Sequence, residues 1–311
     1  MNQRRHIAII GAGVSGLTCG VLLAERGHRV TIFADETGAQ TTSAAAGAIW
    51  FPYDCEPFAK VLAWSLATFK ELAGLTSDRG SGVVMIELRC FSRVDEIAIP
   101  PWAHDLGARR LARCESSFAS GFAIQVPLID TTIYLDYLSA RFISAGGKIS
   151  APIHFDRLDD VAPEHEVIVN CAGIGARALV SDPDLEPHRG QIVLVAKRKL
   201  DHAIVCDDPP LLYIFPRGHD CVFGGTNDLS TDRRPDPAQT ASILEACSRV
   251  LGIAPPPVLA ERVGLRPFRK SGVRLEREIL RDRRTVVHNY GHGGSGFTLS
   301  WGCAEDVARL L

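Results

Sequence analysis

Several features that would announce a function are missing from this 311-residue sequence, and each absence removes a class of protein. Net charge is only −2, with 34 basic against 36 acidic side chains. Such a balance gives no electrostatic case for nucleic acid or for an anionic membrane surface. The nine cysteines stand singly at 19, 55, 90, 114, 171, 206, 221, 247 and 303, with no CxxC pair. An odd, scattered set excludes a disulfide framework and a zinc site, and predicts reduced thiols in a cytoplasmic protein. No stretch is apolar for long enough to span a bilayer. Arg4-Arg5 ahead of the run Ile7 to Ala24 imitates a twin-arginine export signal, but glycines break that run, and cleavage would delete the motif described next. Arg309-Leu310-Leu311 is not a peroxisomal address. Internal repeats and low-complexity linkers are absent too, so the chain reads as one large domain or two interleaved ones with a substantial core.

What the sequence does have begins at His6. Ile7 to Ile10 is an unbroken apolar run, as expected of a parallel strand covered on both faces, and Leu17, Val21 and Leu22 give an apolar helical face that Gly27 closes. Between them lies Gly11-x-Gly13-x-x-Gly16. In such a turn the first glycine permits the bend, the second lets backbone approach a pyrophosphate, and the third lets helix and strand pack closely. The amides of Val14 and Ser15 at the helix start then face the phosphates. A second strand, His28 to Phe33, completes the βαβ setting, and Asp35 stands where an acidic residue binds ribose hydroxyls, with Glu36 beside it. This much predicts an adenine dinucleotide and does not separate NAD from FAD.

Along the rest of the chain, Thr41-Thr42-Ser43-Ala44-Ala45-Ala46-Gly47-Ala48 is a stretch of small side chains, against which something flat can pack. A helix is predicted from about Pro57 to Leu72, with Trp64 in its core face, and another over Ile133 to Ala145 behind the cap candidates Asp130 and Thr131. Strand-like alternation marks Gly82 to Ser92 and Phe118 to Val126; further strands are predicted over Lys148 to Phe155 and Val167 to Asn170, the latter running into the tight turn Cys171-Ala172-Gly173. Arg189-Gly190-Gln191 opens another strand. Leu211 to Pro216 and Cys221 to Gly225 form a hairpin across Arg217-Gly218-His219-Asp220, Asp228 to Asp236 is a solvated loop, and a helix covers Pro237 to Val250. Thr285 to His288 is a strand, Asn289 to Gly296 a glycine-rich turn, and Phe297 to Leu310 a helix. That turn makes a second set of free helix-start amides, able to stabilise negative charge on a ligand. His288 and His292 lack the carboxylates of a metal site, and Gly294-Ser295-Gly296 lacks the spacing of a hydrolase elbow.

The stretch Val286 to Ala304 resembles the signature of the D-amino-acid oxidase family. The resemblance extends to Ala46-Gly47-Ala48-Ile49-Trp50-Phe51-Pro52-Tyr53, to Val169-Asn170-Cys171-Ala172-Gly173, to Arg189-Gly190-Gln191, and to Gly264-Leu265-Arg266-Pro267-x-Arg269 followed by Arg274-Leu275-Glu276. It implies an α/β fold in which a Rossmann-like FAD-binding domain (1–75, 130–190 and 265–311) is interleaved with an antiparallel-sheet α+β substrate domain (76–129 and 191–264). It implies FAD as cofactor, held by Gly11, Gly13, Val14, Ser15, Gly16, Asp35, Thr41, Thr42, Ser43, Gly47, Ala48, Ile49, Trp50, Ile153, Cys171, Ala172 and Gly173. Arg266, Gly291, Gly293, Gly294, Ser295, Gly296, Phe297 and Thr298 complete that set. The implied reaction is oxidative deamination of a D-amino acid by hydride transfer from Cα to flavin N5, giving imino and 2-oxo acid, ammonia and hydrogen peroxide.

In that scheme Arg266 holds the substrate carboxylate, a task that suits a fork of parallel donors that stays charged when partly buried. Tyr213 adds a hydroxyl to the same carboxylate, the Gly294 carbonyl accepts from the amine, and Phe51, Tyr53 and Ser295 complete the substrate wall. Three departures from the family pattern stand out. Asp207-Asp208-Pro209-Pro210 gives a short lid, Phe51 replaces a glutamine, and Ala48 replaces a glycine. Tyr53 stands where D-aspartate oxidases tend to carry histidine, which points to neutral or apolar side chains. A glycine, sarcosine or other secondary amine oxidase of the same fold is the alternative, and a non-catalytic flavin-binding protein a more distant one. The expected partners are a D-amino acid and oxygen, with a homodimer as the assembly the reading allows.

Overall fold

The computed structural model describes residues 4–53, 55–114 and 118–311. The chain opens with β1 (His6–Ile10), α1 (Val14–Glu25) and β2 (Arg29–Phe33), then runs through α2 (Phe58–Leu75), β3 (Val83–Ser92), α3 (Pro101–Asp105), β4 (Arg109–Arg110) and β5 (Ser120–Ile129). Next come α4 (Thr131–Ser144), β6 (Lys148–Ser150), β7 (Val167–Asn170) and α5 (Ala176–Leu179). β8 (Leu185–Ala196), β9 (His202–Cys206), β10 (Leu212–Pro216), β11 (Asp220–Gly224) and β12 (Asp228–Leu229) lead to α6 (Pro237–Leu251). β13 (Val258–Arg269), β14 (Arg274–Ile279), β15 (Thr285–Tyr290) and α7 (Gly296–Arg309) finish the chain.

The first sheet has the order β14-β15-β7-β1-β2-β6 and is parallel except for its edge strand β14. The unbroken apolar run of β1 follows from cover on both faces. Ile7 and Ile9 pack with Leu17, Val21 and Phe142 on the side of α1 and α4, while Ala8 and Ile10 pack with Leu158, Val161 and Leu179 on the other. Each such isoleucine contributes about 1.5–3 kcal/mol by leaving water. Helices α2 and α7 approach until a Cβ placed on Gly302 would lie 2.3 Å from the Trp64 carbonyl oxygen, so only glycine fits there. The second sheet runs β12-β8-β11-β10-β9-β3-β5-β4, with β13 added along β8. It is antiparallel apart from the β3–β9 pair. Alternation along β10 assigns its faces: Tyr213 and Phe215 join the cluster shared with the first sheet, whereas Leu212 and Ile214 pack under α6 with Ile243 and Cys247.

Several elements depart from their predicted limits. The strand predicted over Lys148 to Phe155 stops at Ser150, since Pro152 has no N–H to donate; beyond it only the Ile153 amide returns to β2's end, at Ala34. β8 begins at Leu185, four residues before Arg189, because β13 pairs with its whole length from Leu185↔Arg269 onward. Asn289 and Tyr290 belong to β15 and not to the turn, and Asp228–Leu229 pairs with β8 inside the loop read as solvated. β8 and β13 run without a break through the boundaries predicted at 190/191 and 264/265. Among the described residues no helix is long and apolar enough to cross a membrane, and no disulfide joins the cysteines.

Candidate active site

A cavity of about 520 Å³ runs between the sheets, from the first βα turn to the inner face of β10. At its first end the glycine turn is shaped by the protein itself. Gly11 has φ +108°, and a Cβ there would sit 2.3 Å from the Cys171 carbonyl oxygen, so the turns after β1 and β7 touch. Gly16 lies behind the cavity wall: its Cβ would meet the Gly11 carbonyl oxygen at 1.9 Å, which makes it the packing glycine of the motif. The cap residue of α1, Gly13, has no side-chain cap, and the first turn carries no acidic residue; of its amides, that of Val14 donates to Ser43 Oγ at 3.0 Å. Gly13, Val14 and Ser15 line the cavity, so an anion such as a pyrophosphate fits the helix dipole and the start of a helix with no acidic side chain in its first turn. Thr41 Oγ1 closes its own turn by donating to the Gly38 carbonyl and accepting from the Ala44 amide. Thr42, Ser43, Ile153, Ala172 and Gly173 line the same end. The exposed Asp35 carboxylate is shared with His154 Nδ1 at 2.9 Å, an interaction that raises the histidine's pKa.

The other end is built around Tyr213 and Arg266. Three glycines make their slot. A Cβ on Gly224, the register partner of Tyr213, would stand 2.1 Å from the phenol ring; one on Gly225 would be 2.5 Å from its hydroxyl; one on Gly190 would be 2.4 Å from the Arg266 guanidinium. Arg266 Nη1 donates to the Thr226 carbonyl at 2.9 Å and to Asn227 Oδ1 at 3.3 Å, and among the described residues no carboxylate pairs with it. The Tyr213 hydroxyl bonds to Arg266; burial raises its pKa while the guanidinium opposes that shift, so the phenol is protonated at neutral pH. Gly294 sits between Tyr53 and Arg266, each about 3.5–3.6 Å from where its Cβ would be. Ile49, Phe51, Val205, Leu211 and Phe215 supply an apolar wall. The short connection after β9 is tied down, with the Asp208 carboxylate accepting from Ser92 Oγ at 2.8 Å and from the Arg93 amide at 2.5 Å.

Not every predicted contact lies on this wall. Residues 49–51 run extended, so Ile49 and Phe51 face the cavity while Trp50 faces the opposite way. The Trp50 indole is wholly buried, donates to the Ser65 carbonyl at 2.9 Å, and meets Phe69 and Trp102 edge-on. Its side chain is therefore core. Ser295 is buried beside the wall: its hydroxyl donates to the Tyr53 carbonyl and accepts from the Tyr53 amide, and three residues later Thr298 does the same for Phe51. Two hydroxyls one helical turn apart thus replace a neighbouring strand for residues 51–53. Gly291, at φ +85°, packs on Arg269 and not on the cavity, whereas Gly293, Gly296 and Phe297 line it. Gly47 closes over Phe215 and Tyr213, and Ala48 takes φ +59°, a conformation that costs an alanine about 1 kcal/mol and a glycine nothing. Among the described residues no group of histidines, cysteines or carboxylates is placed to hold a metal ion.

A polar chain runs from the glycine-turn end of the cavity to the turn after β15, and motif reading missed it. Asn289 Nδ2 donates to Ser15 Oγ at 3.0 Å, which leaves its Oδ1 to accept from His292 Nε2 at 3.0 Å. Burial lowers the pKa of His292 to about 4. The unfolded histidine titrates near 6.5, so between about pH 6.5 and 4 the unfolded chain binds a proton that the native state refuses. Stability contributed here is complete above pH 6.5 and declines on acidification through that window, by on the order of 3 kcal/mol. Melting temperatures measured across it are expected to fall, and His292→Gln to flatten the slope; an unchanged slope would contradict the assignment.

Residues 6–310 match the family model of FAD-dependent oxidoreductases, DAO. The chain is 40% identical to a D-amino-acid oxidase of Rubrobacter xylanophilus, over 97% of this chain and 94% of that protein. It is also 40% identical to a D-amino-acid oxidase of Streptomyces coelicolor, over 98% and 96%. In fold it is similar to the crystal structure of glycine oxidase from Geobacillus kaustophilus, with a TM-score of 0.80 at 21% identity over 99% of this chain and 95% of that one. With a dinucleotide turn at one end of the cavity and a cation beside a phenol at the other, the chain belongs to the FAD-dependent oxidoreductase family typified by the D-amino-acid oxidases.

Proposed function

We propose that this protein oxidises neutral or apolar D-amino acids to imino acids, which hydrolyse to 2-oxo acids and ammonia, with oxygen reduced to hydrogen peroxide. The observation that carries this reading is the pair Arg266 and Tyr213 at the cavity end, a guanidinium with no carboxylate partner among the described residues beside a protonated phenol. Bound FAD supplies the hydride acceptor and passes the electrons to oxygen. The glycine turn after β1, Ser43, Asp35 and the turn 171–173 would hold its adenosine and pyrophosphate, and residues 47–49 and 293–298 its flavin end. The chain's own residues do the positioning. Arg266 and Tyr213 bind the carboxylate, the Gly294 carbonyl takes the amine, and the apolar wall of Ile49, Phe51, Leu211 and Phe215 receives the side chain. Fixing three substituents leaves one direction for the Cα hydrogen, which selects the enantiomer and makes the step depend on orientation.

The same reading places residues 1–75, 130–190 and 265–311 in the FAD-binding unit and 76–129 with 191–264 in the substrate unit. It includes a cytoplasmic location, which cysteines without disulfides support. Purified protein supplied with D-amino acids, L-amino acids, glycine and N-methylglycines, with peroxide followed, tests it. Neutral D-amino acids are expected to be the best substrates by kcat/KM. Activity confined to glycine and the N-methylglycines would replace this reading by that of an amine oxidase.

A further inference from the structure

The loop between β12 and α6 reads from the sequence as solvent-exposed and has no part in the reaction above. The structure gives it an unusual anchor. Arg189 of β8 is buried to 4% exposure; its Nε donates to the Asp232 carbonyl at 2.9 Å and its Nη2 to the Arg234 carbonyl at 2.7 Å. One buried guanidinium thus grips the backbone on both sides of residue 233. Nη2 also donates to Gln191 Oε1 at 2.7 Å, and that same oxygen accepts from the Asp236 amide at 2.8 Å. With its flanks fixed, Arg233 reaches out of the second sheet to the end of β2. There its Nη1 and Nη2 meet the two Glu36 oxygens at 2.6 and 3.0 Å, and Nη2 donates to the Gln40 carbonyl at 2.7 Å.

Glu36 follows Asp35, and both line the main cavity at its adenosine end together with Arg233. Arg233, Glu36, Thr41 and Ala45 also line a second, open depression of about 330 Å³. The bridge is therefore part of the partition between the two spaces, and it fastens the second sheet to the first across the end of the dinucleotide site. We infer that Arg233 is a cofactor-retaining residue, whose forked bridge to Glu36 closes the adenosine end and must open before FAD leaves. The inference rests on FAD occupying the main cavity and is independent of which substrate is oxidised.

Release of FAD from diluted holoenzyme, followed by the rise in flavin fluorescence, tests this. Arg233→Ala and Glu36→Gln are each expected to speed release about fivefold, the upper range for a forked but partly exposed pair. The double variant is expected to be no faster than either single one, because both remove the same contact. Arg233→Lys, which keeps the charge and loses the fork, should fall between. Added salt should speed release from the wild type and not from the variants. Arg234→Ala, which removes only a pairing with Asp232 inside the loop, should leave release unchanged. Release from Arg233→Ala within twofold of wild type, or effects of Arg233→Ala and Glu36→Gln that multiply in the double variant, would overturn the inference. If Arg233→Ala does not fold, judged by its melting transition, Glu36→Gln decides the matter alone. A protein that failed to oxidise any D-amino acid would leave these release rates intact.

Discussion

Arg266→Ala is expected to yield a yellow, FAD-loaded protein whose kcat/KM for neutral D-amino acids is lower by about a hundredfold or more. Among the described residues no carboxylate pairs with the guanidinium, so its charge is available to the substrate's. Loss of a charge-assisted hydrogen-bonded pair weakens binding by about 3 kcal/mol, which is more than a hundredfold. Because a carboxylate held at two points also aims Cα, both KM and kcat are expected to suffer, with KM the more strongly affected. Arg266→Lys should recover only part of the loss, since a point charge cannot reproduce the fork. Absorbance of bound flavin, the melting temperature and steady-state peroxide formation together separate a binding defect from unfolding. Near-normal kcat/KM in a flavin-loaded alanine variant would remove Arg266 from the site.

The second large effect is expected from one added methyl group. Gly224→Ala places a Cβ about 2.1 Å from two atoms of the Tyr213 ring, a contact that no real pair of carbons tolerates. The ring cannot swing aside, because it is 8% exposed, stacks on Phe215 with centroids 4.9 Å apart, and is covered by Gly47. Either β11 or the phenol must shift. Overpacking of this kind costs about 1–3 kcal/mol of stability, and displacement of the hydroxyl from Arg266 is expected to lower kcat/KM by about tenfold to a hundredfold through lost orientation. Gly190→Ala is a milder version, since the atoms it meets are the movable end of Arg266. A Gly224→Ala enzyme with wild-type kinetics and melting temperature would show that the slot is not as tight as it stands here.

Much of the site was legible because its chemistry sits in contiguous motifs. A strand, three spaced glycines and a helix force one turn conformation, so the dinucleotide end could be read before any folding was known. The Arg217 to Asp220 hairpin could be read too, and its register already pairs Tyr213 with Gly224. That pairing was the available signal for the slot, although nothing local says that a glycine is empty for the benefit of a ring on the next strand. Trp50 misled for a similar reason. In an extended segment alternate residues face opposite ways, and the motif alone does not say which face meets the ligand. Ser295 and Thr298 lie in a glycine-rich helix start that suggests ligand contact, yet their hydroxyls are spent on the backbone of residues 51–53. Asn289, Arg189 and Arg233 each act on a segment far away in the chain, at Ser15, Asp232 and Glu36, which nothing in the residues around them announces.

Local rules were enough, then, to determine the opening strand, nucleotide turn, helix and strand, the longer helices and the hairpin that carries Tyr213, while resemblance of the contiguous motifs pointed to the family in which Arg266 and Tyr213 take their roles. Those rules act over a few residues, through backbone sterics, helix-start amides and apolar periodicity. Tertiary structure decided which of the motif residues reach the cavity, how Gly190, Gly224 and Gly225 make room for the carboxylate clamp, and how Arg233 reaches Glu36 197 positions away. Such contacts depend on the packing of one sheet against another, and packing is a property of surfaces that the chain assembles only when folded.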